Sequence, residues 1–274
     1  MSSHARAAQP DDVFVAEWRR WHAGRVAAVA APRGSLTLTG THWVSEDTVI
    51  DGVPGVWRVR DDRVWVSGAR GLTADGVPLE DGPVPDGQWL AVGDLELTVI
   101  RRGDDLAVRT FDPHAPAVRD FVGIDAYEPD PAWLVHAEFR PTAGDHTEHI
   151  RHSNTDREAD YPVVGTFAFE RDGHRVEMVG LDTGDRGRAH LTFRDATSGR
   201  ETYGAARFLF VPLPAAPGPV TLDFNRAILP PCAFSDAFLC PLPPDRNMLP
   251  FAVRAGEKQV VRRGQPRPAT AGDP

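Results

Sequence analysis

The sequence predicts a mainly β protein, with an N-terminal helix followed by two packed antiparallel β domains. The first domain is expected to be sandwich-like and the second β-rich. One amphipathic segment near the N-terminus has apolar residues at helical spacing, and short alternating apolar segments separated by turn residues fill most of the remainder. A chain of 274 residues is also long enough for two domains that each bury a core.

The helix is predicted over residues 12–30, within an N-terminal helix region at residues 1–34. It begins with an acidic capping signal at Asp12. Its large apolar side chains recur at roughly helical spacing: Val13, Phe14, Trp18 and Trp21.

The sandwich-like domain is predicted over residues 35–112. Period-two alternation of apolar residues is typical of strands with one buried face. The pattern occurs at residues 36–38, 56–59, 63–66, 88–92, 95–100 and 106–109. Turn residues separate several of these strands, at Asp75-Gly76, Asp86-Gly87 and Gly93-Asp94. We therefore expect hairpin-like connections.

Prolines bracket residues 113–132, which predicts a connector without regular structure. The second β domain is predicted over residues 133–262. Its strands are predicted at residues 133–139, 163–170, 175–181, 188–195, 206–211 and 220–224. Residues 263–274 are polar and contain proline, so we expect a disordered tail there.

Composition excludes several classes of protein. A net charge of −9 argues against general nucleic-acid binding, which requires a basic surface. Apolar runs are too short for a membrane helix, and the N-terminus lacks the apolar segment of a secretory signal, so we expect a cytoplasmic protein that contacts neither membrane nor nucleic acid. Lys258 is the only lysine, which rules out a Walker A loop because no lysine occupies its required position.

Four motifs follow one another in the second half of the chain: FRDATSGRETYGAARFL at residues 193–209, LDFNRAILPPCAF at 222–234, CPLPPDRN at 240–247 and AGEK at 255–258. Together they resemble a bacterial family catalogued as domain of unknown function 1684. The resemblance implies a shared structural core and carries no activity. It departs at Ala206, where we expect glycine.

A fainter resemblance, to forkhead-associated β-sandwiches, lies in residues 74–79 and 90–97. It implies a sandwich shape for the first domain. The residues that would hold a phosphothreonine are not recognisable, so it implies no binding residues.

The candidate ligand-binding residues lie in the family motifs, among aromatic residues and prolines that indicate a packed interior. Polar groups in such a setting need partners. The candidates are Arg207, Asp223, Asn225, Arg226, Asn247 and Glu257. Arginine guanidinium groups suit carboxylate and other anionic partners, so a small polar or anionic ligand is the leading prediction. An internal ion-pair network that holds the proline-rich loop is the structural alternative.

Two other functions remain open. Asp223 or Glu257 could act as the general base of a hydrolase, with Asp195 as a further acid/base candidate and Ser235 or Tyr203 as nucleophile, although the spacing matches no catalytic template. Alternatively, the first β domain could be a protein-interaction module. The sequence identifies no catalytic residue, cofactor or protein partner.

Metal binding is not predicted. Cys232 and Cys240 are expected to be buried thiols in a reducing cytoplasm, with a disulfide and a metal-binding or catalytic thiol as alternatives. His146, His149 and His152 have a spacing that could serve a metal on a tight helix. The segment looks like an exposed strand instead, on which His149 points away from the other two.

Overall fold

The structure is a computed structural model that describes residues 10–185 and 187–264. It is mainly β, as predicted. The chain divides into two compact units. The smaller unit comprises residues 28–120 and 234–238, and the larger unit comprises the other described residues. The predicted tail falls, from residue 265 onward, outside the described residues.

Helix α1 runs from Pro10 to Val29, close to its predicted bounds. Its residues up to Ala27 belong to the larger unit. Trp18 is buried and stacks on His22 one turn later, with ring centroids 4.8 Å apart. No helix in the described ranges is long and apolar enough to cross a membrane.

The smaller unit contains two antiparallel sheets in its described residues. Its elements are β1 (Leu38–Trp43), β2 (Thr48–Ile50), β3 (Val53–Arg60), β4 (Arg63–Ser67), β5 (Thr73–Ala74), β6 (Val77–Pro78), β7 (Gly82–Val84), β8 (Trp89–Val92), β9 (Leu95–Arg102), β10 (Asp105–Phe111) and α2 (Pro116–Asp120). One sheet has the order β1-β10-β9-β8-β5-β6 and the other β2-β3-β4-β7. Trp57 is fully buried in their shared core.

The larger unit is built from nine strands in the described ranges. They are β11 (Phe121–Ala126), β12 (Leu134–Pro141), β13 (Thr147–Arg151), β14 (Glu158–Arg171), β15 (His174–Leu181), β16 (Arg188–Phe193), β17 (Arg207–Pro212), β18 (Gly218–Asp223) and β19 (Glu257–Arg262). The main sheet has the order β17-β16-β15-β14-β12-β18, and β13 pairs with β14. Phe139, Phe167, Phe193 and Phe224 lie in its core.

The expected irregular connector at residues 113–132 was wrong. It contains α2 and the strand β11, and β11 pairs antiparallel with β19. The prolines lie outside β11, so they bound the strand without interrupting its hydrogen bonds. This pair of strands positions the groove described below.

Candidate functional site

Arg207, at the start of β17, has a fully buried side chain. Its guanidinium donates to the carbonyls of Val253, at 2.8 Å, and of Ala255. It also forms an ion pair with Asp195, with 3.3 Å between Nη2 and Oδ1. These contacts provide internal partners for Arg207, which fixes the backbone of residues 253–255 from inside the protein.

Asp195 is the acceptor at the centre of this arrangement. Besides Arg207, its carboxylate accepts hydrogen bonds from the Thr197 hydroxyl at 2.9 Å, the Ser198 hydroxyl at 3.1 Å and the Val253 amide at 2.5 Å. Four donors from the protein itself therefore meet this one carboxylate. Its surroundings are those of a structural anchor, since a side-chain cation, two hydroxyls and a backbone amide of the protein meet its oxygens.

Glu257 begins β19 and is also fully buried. Its Oε2 accepts from the Leu229 amide at 2.7 Å, and Oε1 lies 3.4 Å from Nε of Arg25 on α1. Burial raises the pKa of Glu257 to about 7, although Arg25 and the Leu229 hydrogen bond lower it in part. Arg25 donates in turn to the Leu229 carbonyl at 3.0 Å. Helix and strand are thereby joined through one backbone position.

Gly256 allows the close approach that this requires. Its φ of 76° favours glycine, and an added Cβ would lie 2.5 Å from the Ala227 carbonyl oxygen. The Glu257 amide donates to that same carbonyl at 2.8 Å. The glycine of the AGEK motif therefore has a structural explanation.

Asn225 is fully buried and holds the loop that leads into β12. Its side chain accepts from the Asp130 amide at 2.9 Å and donates to the Asp130 carbonyl at 3.0 Å and to Asp223 at 3.1 Å. Its carbonyl accepts from the Trp18 indole at 2.7 Å. Asn225 thus links α1, Asp130 and Asp223.

Arg226 differs from the other candidates because half of its side chain is exposed. Its Nε lies 3.2 Å from the Asp223 carboxylate, and its guanidinium is 5.6 Å from the centroid of a Trp21 ring. Asp223 therefore bonds Asn225 and Arg226, two of the three residues that directly follow it in the motif.

Asn247 lies apart from these groups, under the main sheet. It accepts from the Val179 amide at 2.7 Å and donates to the carbonyls of Val179 at 2.9 Å and Thr192 at 2.8 Å. All three bonds tie the CPLPPDRN motif to β15 and β16, which is the bonding expected of a buried amide that anchors a loop.

Four ion pairs among the described residues surround the start of β19, and we call their members the β19 cluster. The pairs are Arg25–Glu257, Arg207–Asp195, Arg254–Glu201 and Lys258–Asp125. Each of these cations faces a carboxylate of the cluster, so the β19 cluster supplies charge partners from within the protein. Of the predicted site residues, the structure therefore brings Arg207 and Glu257 together in the β19 cluster. Asn247 is not a member of this cluster, and neither are Asp223, Asn225 and Arg226, which bond one another.

A groove of about 400 Å³ lies beside this cluster, along β11 and the end of β19. Its lining is mostly apolar, and Asp125 is the one charged residue in it. The lining residues are Val122, Gly123, Ile124, Asp125 and Val261. Asp125 Oδ2 lies 2.8 Å from the Lys258 ammonium, which is 5.2 Å from the centroid of the Tyr127 ring. The sequence analysis missed Asp125, because β11 was not predicted. The sole lysine in the AGEK motif was the available signal.

His22 on α1 is a second residue that the sequence analysis missed. Its Nε2 is buried and has no hydrogen-bond partner among the described residues. Burial lowers the pKa of His22, Arg25 lowers it further, and Asp125 raises it in part. The imidazole is therefore in the electrostatic range of the carboxylate that lines the groove.

The suggested nucleophiles are engaged in backbone contacts. Ser235 donates to the Leu38 carbonyl at 2.7 Å, and Tyr203 donates to the Cys232 carbonyl at 3.2 Å. Cys232 and Cys240 are buried thiols that are not joined in a disulfide. Among the described residues, the Ser235 hydroxyl bonds the backbone at Leu38 and Ala237, so Ser235 lacks the histidine base that a Ser–His type site uses.

The histidine segment forms strand β13, and His149 is exposed there. Its two ring nitrogens contact Glu158 at 2.7 Å and Asp160 at 2.8 Å. Within the described part of the chain, no group of three or more histidine, cysteine or acidic side chains could hold a metal ion.

Comparison with known proteins adds a family and no activity. One solved structure that resembles the chain is the solution NMR structure of an uncharacterized protein from gene locus rrnAC0354 of Haloarcula marismortui. The two are 33% identical, with a TM-score of 0.45, and the match covers 54% of this chain and 83% of the other. No curated protein matches the chain. The likeness of the smaller unit to forkhead-associated domains stays a prediction.

A family model described as a protein of unknown function, DUF1684, matches residues 119–258. This range contains all four motifs in full, together with all six predicted site residues, and it ends at the lysine of AGEK. The match spans slightly more than half of the chain, and on that basis the chain belongs to the DUF1684 family.

Proposed function

We propose that this DUF1684 protein binds a small polar ligand in the groove of β11 and β19. One observation carries the proposal: the groove combines an apolar lining with a single charged group, the Asp125 carboxylate. Small-molecule sites are commonly apolar clefts of this size with a few polar groups that orient the ligand. The groove is about 400 Å³, which is adequate for a small metabolite.

The lining indicates the chemistry of the ligand. Asp125 is paired with Lys258 through Oδ2, so a ligand would meet its other carboxylate oxygen, Oδ1. A carboxylate oxygen accepts hydrogen bonds, so the ligand group there would be an ammonium or another hydrogen-bond donor. Val122, which is 59% exposed, and Val261 would contact an apolar portion. From the sequence we expected a small polar or anionic ligand; the groove narrows this to a small molecule with an apolar body and a hydrogen-bond donor.

The earlier ligand site at Arg207, Asn225 and Glu257 is a weaker proposal. Each of these three side chains is fully buried and has internal partners. A ligand there would have to replace hydrogen bonds that already exist. The hydrolase alternative meets the same difficulty, because the Glu257 carboxylate is enclosed by Arg25 and the Leu229 amide.

Gly123→Val is the variant that tests the groove. An ideal Cβ at Gly123 meets no heavy atom within 4 Å, and valine is favoured in strands, so the substitution fills the groove without touching the ion pairs. Gly82→Val is the matched control, because Gly82 begins β7 in the other unit and has the same open surroundings. Both variants should keep the fold, as checked by circular dichroism.

Hexylamine, hexanol and hexanoate serve as probes because they share one apolar chain and differ in the polar group. Binding to the full chain is followed by titration in NMR spectra. We expect affinity in the order amine, alcohol, acid, and about a tenfold loss of amine affinity in Gly123→Val, equivalent to about 1.4 kcal/mol. Gly82→Val should bind like the wild type. Failure of all three probes, or equal loss in both variants, would reject the groove.

The interaction-module alternative, the cytoplasmic location and the expected absence of nucleic-acid and membrane partners stay predictions. Native mass spectrometry of the purified chain, compared with its denatured mass, gives an independent check on a copurified ligand. A bound mass that is present in Gly82→Val and absent from Gly123→Val would support the groove and identify its occupant.

A further inference from the structure

We propose that Cys232 and Cys240 form a redox modification site, in which a small peroxide converts the two thiols reversibly into an intramolecular disulfide. The site is separate from the groove of β11 and β19 and does not depend on the proposed ligand. It uses the two cysteines of the chain, which the ligand-binding proposal leaves without a role.

The two cysteines are neighbours in space. The Cys232 amide donates to the Cys240 sulfur at 3.3 Å, which places that sulfur against the backbone that carries the other thiol. Ser153 fixes the position of Cys240 from its other side: its hydroxyl accepts from the Cys240 amide at 3.1 Å, and its own amide donates to the Cys240 carbonyl at 2.8 Å. The backbone amide of Cys232 and the contacts of Ser153 therefore fix the position of Cys240.

The Cys232 sulfur has polar neighbours. The Tyr203 hydroxyl lies 3.8 Å from its sulfur. Hydrogen bonding from Cys240 is the largest influence on the pKa of Cys232 and lowers it, burial raises it, and Ser153 and Tyr203 lower it further, to about 7. The thiolate is the nucleophile in thiol oxidation, so the Tyr203 hydroxyl beside the sulfur, together with the lowered pKa, favours Cys232 as the attacking sulfur.

Burial restricts the oxidant. Cys232 is 3% exposed and Cys240 is 4% exposed, so a protein-sized disulfide cannot reach either sulfur without opening of the loop. Hydrogen peroxide is small and uncharged. We therefore name a peroxide as the oxidant, and we expect the reaction to be slower than at an exposed thiolate of similar pKa.

The reaction balances in two steps. The Cys232 thiolate attacks one peroxide oxygen, the O–O bond breaks, and the sulfur becomes a sulfenic acid while hydroxide leaves and is protonated to water. The Cys240 thiol then attacks that sulfur, forming the S–S bond and releasing the sulfenic oxygen as a second water. Two thiols are oxidised, one peroxide is reduced, and thiol reductants reverse the outcome.

The disulfide would close a particular segment. Residues 234–238, between the two cysteines, belong to the smaller unit, whereas both cysteines belong to the larger unit. Within the smaller unit this segment bonds β1, because Ser235 donates to the Leu38 carbonyl at 2.7 Å and Thr41 donates to the Ala237 carbonyl at 2.8 Å. Oxidation therefore cross-links the two ends of the segment that the smaller unit holds.

The experiment uses the full-length chain, reduced and then exposed to hydrogen peroxide under native conditions. Free thiols are blocked with N-ethylmaleimide after denaturation, and tryptic peptides are weighed. Both cysteines lie in one tryptic peptide, residues 227–246, because no lysine or arginine occurs between Arg226 and Arg246. Met248, which is half exposed, lies in the next peptide. Its conversion to the sulfoxide is the internal control for general oxidation of exposed side chains.

We expect peptide 227–246 to lose two hydrogens and both maleimide labels, and to regain both labels after treatment with dithiothreitol. In Cys240→Ser, dimedone should trap a sulfenic acid on Cys232, and Cys232→Ser should give severalfold less trapping on Cys240. The proposal is overturned if both thiols of folded wild type stay alkylatable when Met248 is fully oxidised. Disulfides between chains, or sulfinic acid without a disulfide, would overturn it equally.

Discussion

Arg207 and Arg226 come from neighbouring motifs, lie beside aromatic rings and pair with aspartates at nearly the same distance, 3.3 Å and 3.2 Å. They differ in burial, since the Arg207 side chain is 1% exposed and the Arg226 side chain 49%. Removal of one partner from a buried pair leaves an uncompensated charge, whereas solvent screens the partner of an exposed pair. Burial, and not distance, therefore decides which arginine the fold depends on.

Arg207→Ala gives the largest expected effect and tests the buried half of this comparison. The substitution leaves Asp195 charged without its cation, so we expect a loss of about 3–5 kcal/mol in the free energy of unfolding, measured with urea. The double variant Arg207→Met with Asp195→Asn should lose less than the sum of its single variants, because it removes both charges. A loss below about 1 kcal/mol in Arg207→Ala would show that the network does not hold residues 253–255.

Glu257 extends the comparison to a buried group whose charge changes with pH, so that the free energy of unfolding should depend on pH through it. Its pKa is about 7 in the folded state and near the ordinary 4.5 in the unfolded state, so the folded state holds more protons between these values. Stability contributed by Glu257 is therefore complete below about pH 4.5 and is lost as the pH rises to 7, by an amount on the order of 3 kcal/mol.

Urea unfolding at pH 5 and pH 8 measures this contribution as the difference between wild type and Glu257→Gln. The variant should lose the part of the pH dependence that Glu257 supplies. Glu177→Gln, at a partly exposed carboxylate paired with Arg246 at 3.0 Å, is the control and should keep the wild-type pH dependence. An unchanged pH dependence in Glu257→Gln would contradict the assignment.

Arg226→Ala should have the smallest effect. Its guanidinium is half exposed, and an exposed ion pair contributes little, so we expect a change in unfolding free energy of less than about 0.5 kcal/mol, again by urea titration. A loss close to that of Arg207→Ala would break the comparison. Contact with the ring of Trp21 would then be the first feature to examine.

Local signals predicted much of the fold. The hairpin of β3 and β4 was predicted because its alternating apolar residues and its partner strand lie next to each other in the sequence. Strand β11 was missed for the opposite reason. Prolines flank it, and all the strands of the main sheet lie between it and its partner β19 in the sequence. The groove depends on that pair, so the sequence could not predict it.

The same distinction explains the site. Arg207 and Asp195 lie twelve positions apart within one stretch of family motifs, and the sequence analysis named both. The partner of Glu257 is Arg25 on α1, separated from it by most of the chain. An arginine on an amphipathic helix carries no sign of a buried carboxylate as its partner, because its pattern equally fits an exposed position.

The smaller unit is inserted between α1 and β11, and this arrangement has a consequence for synthesis. Helix α1 leaves the ribosome before the smaller unit. The chain must lengthen past that whole unit before Asn225 can accept the hydrogen bond from Trp18, and further still before Glu257 can meet Arg25. Domains generally fold in the order of their synthesis. Helix α1 is therefore made before the smaller unit and yet reaches its final contacts after that unit has been synthesised.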